Sequence, residues 1–192
     1  MPRACYDLAV IGIGIGPRRG AGGGGPGEPD AVDALLDCHQ RIRQMSGLAR
    51  AIAAAQDRPD AEVRDAAGRV RRYFTESLPH HVEDEESSLS PRLRGRDPSV
   101  DAALDRMEGE HADHEATIAR LVAVCAELER NPAALADVRA ELDEVSARLA
   151  DDFAAHLDRE EQIVFPAVRR LLGADERAGI RAEMRARRAP PR

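Results

Sequence analysis

The sequence predicts an all-α protein, an up-down-up-down antiparallel four-helix bundle with an internal pseudo-two-fold repeat. From Asp30 onward, apolar residues recur every three or four positions, which is the helical period. Hydrophobic residues make up 43% of the 192 positions but aromatic residues only 3%. This composition favours helices, because strands draw on aromatic and β-branched side chains. Short links join four periodic segments, as expected for antiparallel neighbours.

Each predicted helix has one apolar face. The first helix begins at a cap, Asp30. The second contains Pro79, which removes a hydrogen bond and predicts a kink there, and it ends near Pro91. The third follows a turn and cap at 95–99, and the fourth stops near Gly173. The inward positions are Val32, Leu35, His39, Ile42, Ala49 and Ile52 in the first helix, Val63, Ala67, Val70, Phe74, His81 and Glu85 in the second, Leu104, Met107, His111, His114, Ile118, Leu121 and Cys125 in the third, and Leu142, Val145, Leu149, Phe153, His156, Glu160 and Ile163 in the fourth.

The chain divides into a flexible Gly/Pro-rich leader, 1–30, the helical bundle, 31–172, and a short helix with a basic tail, 173–192. The leader segment 6–17 resembles the dinucleotide-binding opening of flavin-dependent amine N-hydroxylases. However, other residues occupy the place of the third glycine in G-x-G-x-x-G, and the Gly- and Pro-rich segment that follows cannot form the helix that holds a pyrophosphate. The basic cluster in the tail is interpreted as solvated.

Charge and cysteine usage exclude several classes of protein. The net charge of −7 argues against a nucleic-acid partner, because phosphate binding needs a concentrated basic face. No apolar stretch reaches bilayer-spanning length, so no membrane partner is expected and a cytoplasmic location is the default. The three cysteines are widely spaced and include no Cys-x-x-Cys pair, which suggests neither a disulfide framework nor a zinc ribbon.

One motif occurs twice. The sequence His-x-x-x-Glu-Glu starts at His81 and again at His156, and each copy reaches a proline ten residues after its histidine. A lone histidine precedes each copy: His39 lies 42 residues before His81, and His111 lies 45 residues before His156. The chain therefore contains two helix pairs of the same design. Folded antiparallel, they give a pseudo-symmetric site at the centre of the bundle.

The repeated motif is typical of a metal site. Residues four apart on a helix point the same way, so His81 and Glu85 can reach one metal ion, as can the corresponding pair of the second copy. Each ion would have two histidines, His39 with His81 and His111 with His156, and the two motif glutamates can bridge the ions. Histidine with carboxylate suits iron, manganese or zinc. A lone histidine on an apolar face is usually an ordinary core residue, but buried unpaired carboxylates are costly, and this set occurs in duplicate.

The pattern of a lone histidine followed by His-x-x-x-Glu, repeated, is similar to the hemerythrin-like (HHE cation-binding) family over residues 31–172. The resemblance implies two non-heme iron ions, bridged by carboxylates and an oxo or hydroxo group. By the same resemblance the ligands are His39, His81, Glu85, His111, His156 and Glu160.

The third helix departs from the family's oxygen carriers. Those proteins have His-x-x-x-His there, whereas this chain has Glu115 in the second place and His114 one step earlier. Either residue can add a ligand, and Glu115 completes the predicted metal set. A carboxylate-richer centre favours a redox-active protein that binds and reacts with O2 or peroxide over a simple O2 carrier.

Two alternatives stay open within this family. One is an O2-dependent di-iron oxidoreductase, an oxidase or oxygenase that acts on a small substrate, for example a nitrogen-containing one. The other is a sensor of O2, NO or iron without catalytic turnover. A ferritin-like site is disfavoured, because it needs two Glu-x-x-His motifs and only 108–111 fits. A structural zinc site would leave ligands unused, since it takes four.

Five further residues have ordinary interpretations. Glu86 and Glu161 belong to the solvated face, and His80 points away from the site. Tyr73 lies off the inward stripe. Cys38 is interpreted as a small buried thiol.

Overall fold

The computed structural model describes residues 30–189, and this part of the chain is all-helical, without a strand. The predicted all-α class is therefore confirmed. The leader, including the segment 6–17, lies outside the described residues. The helices are α1 (Ala31–Ala54), α2 (Asp60–Arg72), α3 (Leu78–Glu83), α4 (Ser90–Leu93), α5 (Pro98–Arg130), α6 (Leu135–Arg159), α7 (Phe165–Leu171) and α8 (Ala174–Arg187). Within 30–189, no helix combines the length and apolarity needed to cross a bilayer.

Side-chain caps fix the N-termini of the two long helices α1 and α5. Asp30 accepts a hydrogen bond from the Asp33 amide at 2.9 Å, and Asp33 accepts one from the Asp30 amide at 3.2 Å. This reciprocal pair satisfies two amides that the helix leaves without partners. Before α5, Asp97 accepts a bond from the Ser99 amide at 2.9 Å, and Pro98 occupies the first helical position, where its missing N–H costs nothing.

Three π turns link consecutive helices, and each lies just before a proline. The turns are Tyr73–Ser77 between α2 and α3, Asp84–Leu89 between α3 and α4, and Glu160–Val164 between α6 and α7. A proline within a helix lacks an N–H, and its ring clashes with the carbonyl four residues earlier. A widened turn moves that carbonyl away and lets the helix continue. The irregularity predicted at Pro79 is therefore a π turn that precedes it.

The last π turn also changes which residue faces inward. Ile163, predicted to be inward, is 39% exposed, whereas Val164 is buried. The prediction for Ile163 is wrong because a regular period of 3.6 residues does not hold through a π turn. The extra residue in that turn advances the inward face by one position.

The long helices run antiparallel to their neighbours. Near the end of α1, the carbonyls of Ala53 and Ala55 accept hydrogen bonds from Arg139, at the start of α6. Toward the other end of α6, His39 of α1 lies 2.8 Å from Glu161. The helix α5 packs against both α2 and α6, and α8 buries Ile180 and Met184.

Two apolar clusters lie on either side of a buried polar layer. One cluster contains Ile42, Leu121 and Phe153, and the other contains Leu35 and Val168. Each long helical segment passes from one cluster to the other, and at the crossing it contributes a histidine or a glutamate to the polar layer. The buried polar residues of this layer are His39, His81, Asp84, Glu85, Ser88, His114, His156 and Glu160.

The basic C-terminal helix is attached to this layer. Arg187 and Arg188 bind the two oxygens of the fully buried Asp84 at 2.8 and 2.6 Å. Arg187 also donates to Ser88 Oγ at 2.8 Å. The interpretation of the basic cluster as solvated is therefore wrong for these two arginines. A buried carboxylate needs a cationic partner, and α8 supplies two.

Candidate metal centre

Six side chains from four helical segments converge in the buried layer, and each is at most 8% exposed. They form two groups of four, within each of which the ligand atoms all lie within 4.8 Å of one another. One group is His39, His81, Glu85 and Glu160, and the other is Glu85, His111, His156 and Glu160. The structure thus brings together the six residues that the family resemblance implies.

The two glutamates are shared by both groups. Glu85 Oε1 lies 3.4 Å from His81 Nε2, and its Oε2 lies 3.5 Å from His111 Nε2. Glu160 Oε2 lies 3.1 Å from His39 Nε2, and its Oε1 lies 3.1 Å from His156 Nε2. Each carboxylate therefore presents one oxygen to each histidine pair, which is the arrangement that bridging between two cations requires.

The converging atoms have no hydrogen-bond partners. Among the described residues, both oxygens of Glu85 and Glu160 and the Nε2 atoms of three histidines, His39, His81 and His111, are buried without one. Buried polar atoms without hydrogen-bond partners destabilise the folded state, and two neighbouring buried carboxylates without partners destabilise it further. Bound cations would satisfy them, and imidazole with carboxylate suits first-row transition metals. The residues present therefore fit a metal centre.

The electrostatics of the layer favour charged carboxylates. Burial raises the pKa of Glu85, but the neighbouring His81, His111 and His39 outweigh it and hold that pKa well below its usual range. Burial likewise lowers the pKa of His39, but Glu160 and Glu85 outweigh it and raise the pKa to about 10. The local field thus favours positive charge between the carboxylates.

The pKa values of His111 and His81 shift in opposite directions. Burial lowers the pKa of His111, but Glu85 and then Glu86 raise it to about 9. Full burial lowers the pKa of His81, despite the charge of Glu85. Burial thus favours the neutral imidazole at His81, which is the form that binds a metal ion.

Outer carboxylates hold three of the four histidine rings. The Nδ1 atoms of His39, His111 and His156 lie 2.8, 2.8 and 2.9 Å from Glu161, Glu86 and Glu110. Such contacts fix the tautomer, orient the ring and raise the basicity of the metal-binding nitrogen. The interpretation as solvated is therefore wrong for Glu161, which is 28% exposed, whereas Glu86 is on the solvated face as predicted, 40% exposed, and also contacts His111. A sequence signal existed: each follows a motif glutamate directly, in both copies of the repeat.

Residues 114 and 115 lie outside both groups. Glu115 is exposed and is not brought to the cluster, whereas His114 is buried, with its ring 5.4 Å from His156 and 5.0 Å from Phe153. The inward stripe of α5 passes through His114 and Thr117. Glu115 is therefore on the flank of the helix.

The remaining polar candidates are peripheral. His80 is half-buried and outside both groups. Tyr73 donates a 3.5 Å hydrogen bond from its hydroxyl to the carbonyl of Cys38. Burial raises the pKa of the Cys38 thiol, which opposes thiolate chemistry.

The family model of the hemerythrin HHE cation binding domain matches residues 30–168, and it matches again over residues 118–188. No curated protein matches the chain.

Proposed function

Because the chain belongs to the hemerythrin HHE cation-binding family, we propose that it is a non-heme di-iron protein that binds and reacts with O2 or peroxide. The six clustered residues would hold the two ions. One observation carries the proposal: Glu85 and Glu160 each present one oxygen to each histidine pair. Two carboxylates placed in this way match two ions better than one.

The architecture proposed for this site is an up-down-up-down four-helix bundle with a pseudo-two-fold repeat. In support, α1 and α6 are antiparallel, as are α5 and α6: Arg120 binds Glu144 at 3.0 Å, while Glu110 lies 2.9 Å from His156. The repeat extends to the outer carboxylates. Each residue that follows a motif glutamate contacts the lone histidine of the other helix pair.

Iron would supply the redox chemistry, namely the electrons that reduce O2 or peroxide. The chain's own residues set the conditions. Each ion would receive two imidazole nitrogens and one oxygen from each of two carboxylates, which leaves positions for a small oxidant on both ions. Glu161, Glu86 and Glu110 would keep the imidazoles oriented. The apolar clusters on both sides of the layer would exclude bulk water from the site.

The symmetry of the donor set supports redox reactivity over reversible carriage. Neither group contains a third histidine, because His114 lies outside both, and Glu115 adds no carboxylate to either. The protein would therefore leave coordination positions free on both ions. Iron held by these residues would be open to an oxidant on both sides of the pair, and this favours redox reactivity over simple binding.

An oxidase or oxygenase is a second candidate. A cavity of about 760 Å³ reaches His111, and this volume is within the range of small-molecule sites, roughly 300–1,000 Å³. A substrate in it would lie beside the metal centre.

The proposed reactivity is tested by exposing the anaerobically reduced, iron-loaded protein to air while O2 consumption and the optical spectrum are recorded. The proposal predicts oxidation of the centre with O2 consumed in proportion to bound iron. The variants His81→Ala and Glu160→Ala are expected to lose this reaction together with stoichiometric iron, whereas His80→Ala, the matched control, keeps both. A stable oxygenated spectrum that reverses on removing O2 would contradict the redox proposal and identify a carrier.

A further inference from the structure

The cavity beside the metal centre lies between α5 and the segment formed by α3 and the two π turns that flank it. One end adjoins the centre, because His111 lines it and its Nδ1 atom lies 2.8 Å from Glu86. The far end is lined by Phe74 and Val122. Positions 111 and 122 of one helix are about 16 Å apart, at roughly 1.5 Å per residue, so the cavity is elongated.

The two ends differ in polarity. The far end is apolar, with Phe74, Ile118 and Val122 among its walls. Carboxylates are concentrated at the end near the metal centre. Glu83, Glu86 and Glu108 line that end, and Glu115 lies between the two ends of the cavity. No arginine lines the cavity, although the chain has 28 basic residues.

Not all of these carboxylates are neutralised. Glu108 binds Arg94 at 2.7 Å, and Glu83 binds Arg187 at 3.1 Å. Glu86 contacts His111. Within 30–189, no ion pair is found for Glu115. Glu115 therefore leaves a negative charge about midway along the cavity, next to its apolar end.

We propose that this cavity binds a small organic cation, a primary ammonium group on an unbranched apolar chain, with the ammonium group toward Glu115 and Glu86 and the chain along Phe74 and Val122. The carboxylates repel an anion. A neutral molecule would gain no charge attraction from Glu115. As a statement about the substrate of the metal centre, the inference rests on the proposed function; as a statement about binding, it rests on the cavity alone.

Calorimetric titration of the full chain, both iron-loaded and metal-stripped, with n-butyl-, n-hexyl- and n-octylammonium tests the inference. Affinity is expected to rise up to about fourfold per added methylene, the value for complete burial of that group. Octanoate, of the same length and opposite charge, is expected not to bind. Binding of octanoate as tight as that of octylammonium, or affinity independent of chain length, would overturn the proposal.

Two pairs of variants locate the binding. Glu115→Gln is expected to weaken octylammonium binding about two- to fivefold, as for a solvent-exposed charge pair, whereas Glu141→Gln on α6 leaves it unchanged. Ala119→Leu, in the cavity wall, is expected to weaken octylammonium about tenfold more than butylammonium by filling space. Ala140→Leu, an exposed alanine of α6, is its control. Equal effects of a cavity variant and its control would place the cation elsewhere.

The metal-stripped protein separates this inference from the proposed function. Chain-length-dependent binding to stripped protein that never takes up iron would leave the cavity assignment standing and remove the di-iron proposal. Normal iron uptake without ammonium binding would overturn the cavity assignment and leave the di-iron proposal standing.

Discussion

Glu85 and Glu160 are two carboxylates buried in one polar layer, 0% and 1% exposed. Burial and then the charge of Glu85 raise the pKa of Glu160, yet His156 and His39 outweigh both and lower it. Such a pair is costly in an apolar interior unless cations neutralise it. The same two residues therefore lower the stability of the metal-free protein and favour metal binding.

The outer carboxylates are expected to tune metal affinity. Glu161→Gln keeps the shape of the side chain but removes the charge that orients His39 and is shared with Arg43. Metal affinity is expected to fall about 10- to 100-fold, measured by competition with a chelator. Glu144→Gln, at an exposed residue paired with Arg120 on the surface, should leave affinity unchanged. Equal affinities for the two variants would contradict the role assigned to Glu161.

The metal-free protein is expected to hold extra protons. The pKa values of His39 and His111 are raised from 6.5 to about 10 and about 9. The stability they contribute is therefore fully present below pH 6.5 and is lost as the pH rises through 9 and 10. A metal ion binds neutral imidazole, so loading at pH 7 should release about two protons from these residues.

Calorimetry in buffers with different ionisation enthalpies measures that release. Apparent metal affinity should also rise between pH 6 and 8. A binding enthalpy that does not depend on the buffer would show that the two histidines are neutral before loading.

Residue patterns in the sequence predicted the six clustered side chains but not their outer partners. The six occupy inward positions at helical spacing, so periodicity finds them. Glu86, Glu110 and Glu161 lie at the margin of the inward face, where a carboxylate resembles any solvated residue. Only tertiary packing of another helix against that margin makes them hydrogen-bond partners of histidine.

At the scale of elements, two of the three π turns contain a residue of the centre. Glu85 and Glu160 lie in the turns Asp84–Leu89 and Glu160–Val164, and each turn precedes a proline. The prolines and their equal spacing from the motif histidines are visible in the sequence. A constant helical period does not predict the phase shift that exposes Ile163.

The attachment of α8 to Asp84 is expected to stabilise the fold strongly. Asp84→Asn breaks a buried pairing with Arg187 and Arg188, and should lower the free energy of unfolding by about 3–5 kcal/mol. Glu83→Gln removes a half-exposed carboxylate from the same Arg187, and should cost about 1 kcal/mol or less. Denaturant unfolding of both variants measures the difference. Similar losses would mean that burial of Asp84 adds nothing.

At the scale of the whole molecule, the polar layer separates two apolar clusters, so metal binding should be linked to folding. A ligand present at about 1,000 times its dissociation constant stabilises the native state by about 4 kcal/mol. For a chain of this size this corresponds to an increase in Tm of about 8–16 °C. Differential scanning calorimetry of iron-loaded and metal-stripped protein measures the shift. Equal Tm values would show that iron does not bind the native layer.

The fold class was predictable because the helical period continues almost without interruption from Asp30 to the last helix, and capping residues and prolines mark its boundaries. The role of α8 was not. A cluster of arginines resembles a solvated tail unless the buried carboxylate that receives it is known, and Asp84 lies about a hundred positions earlier in the chain. Long-range ion pairs of this kind have no local sequence signal.

The central claim, that two bridging glutamates and four histidines hold two iron ions, is tested most directly by titrating the metal-stripped full chain with ferrous iron under anaerobic conditions. The account predicts saturation at two ions per chain, and loss of that stoichiometry in Glu85→Ala. Saturation at a single ion, or no saturable binding, would contradict it.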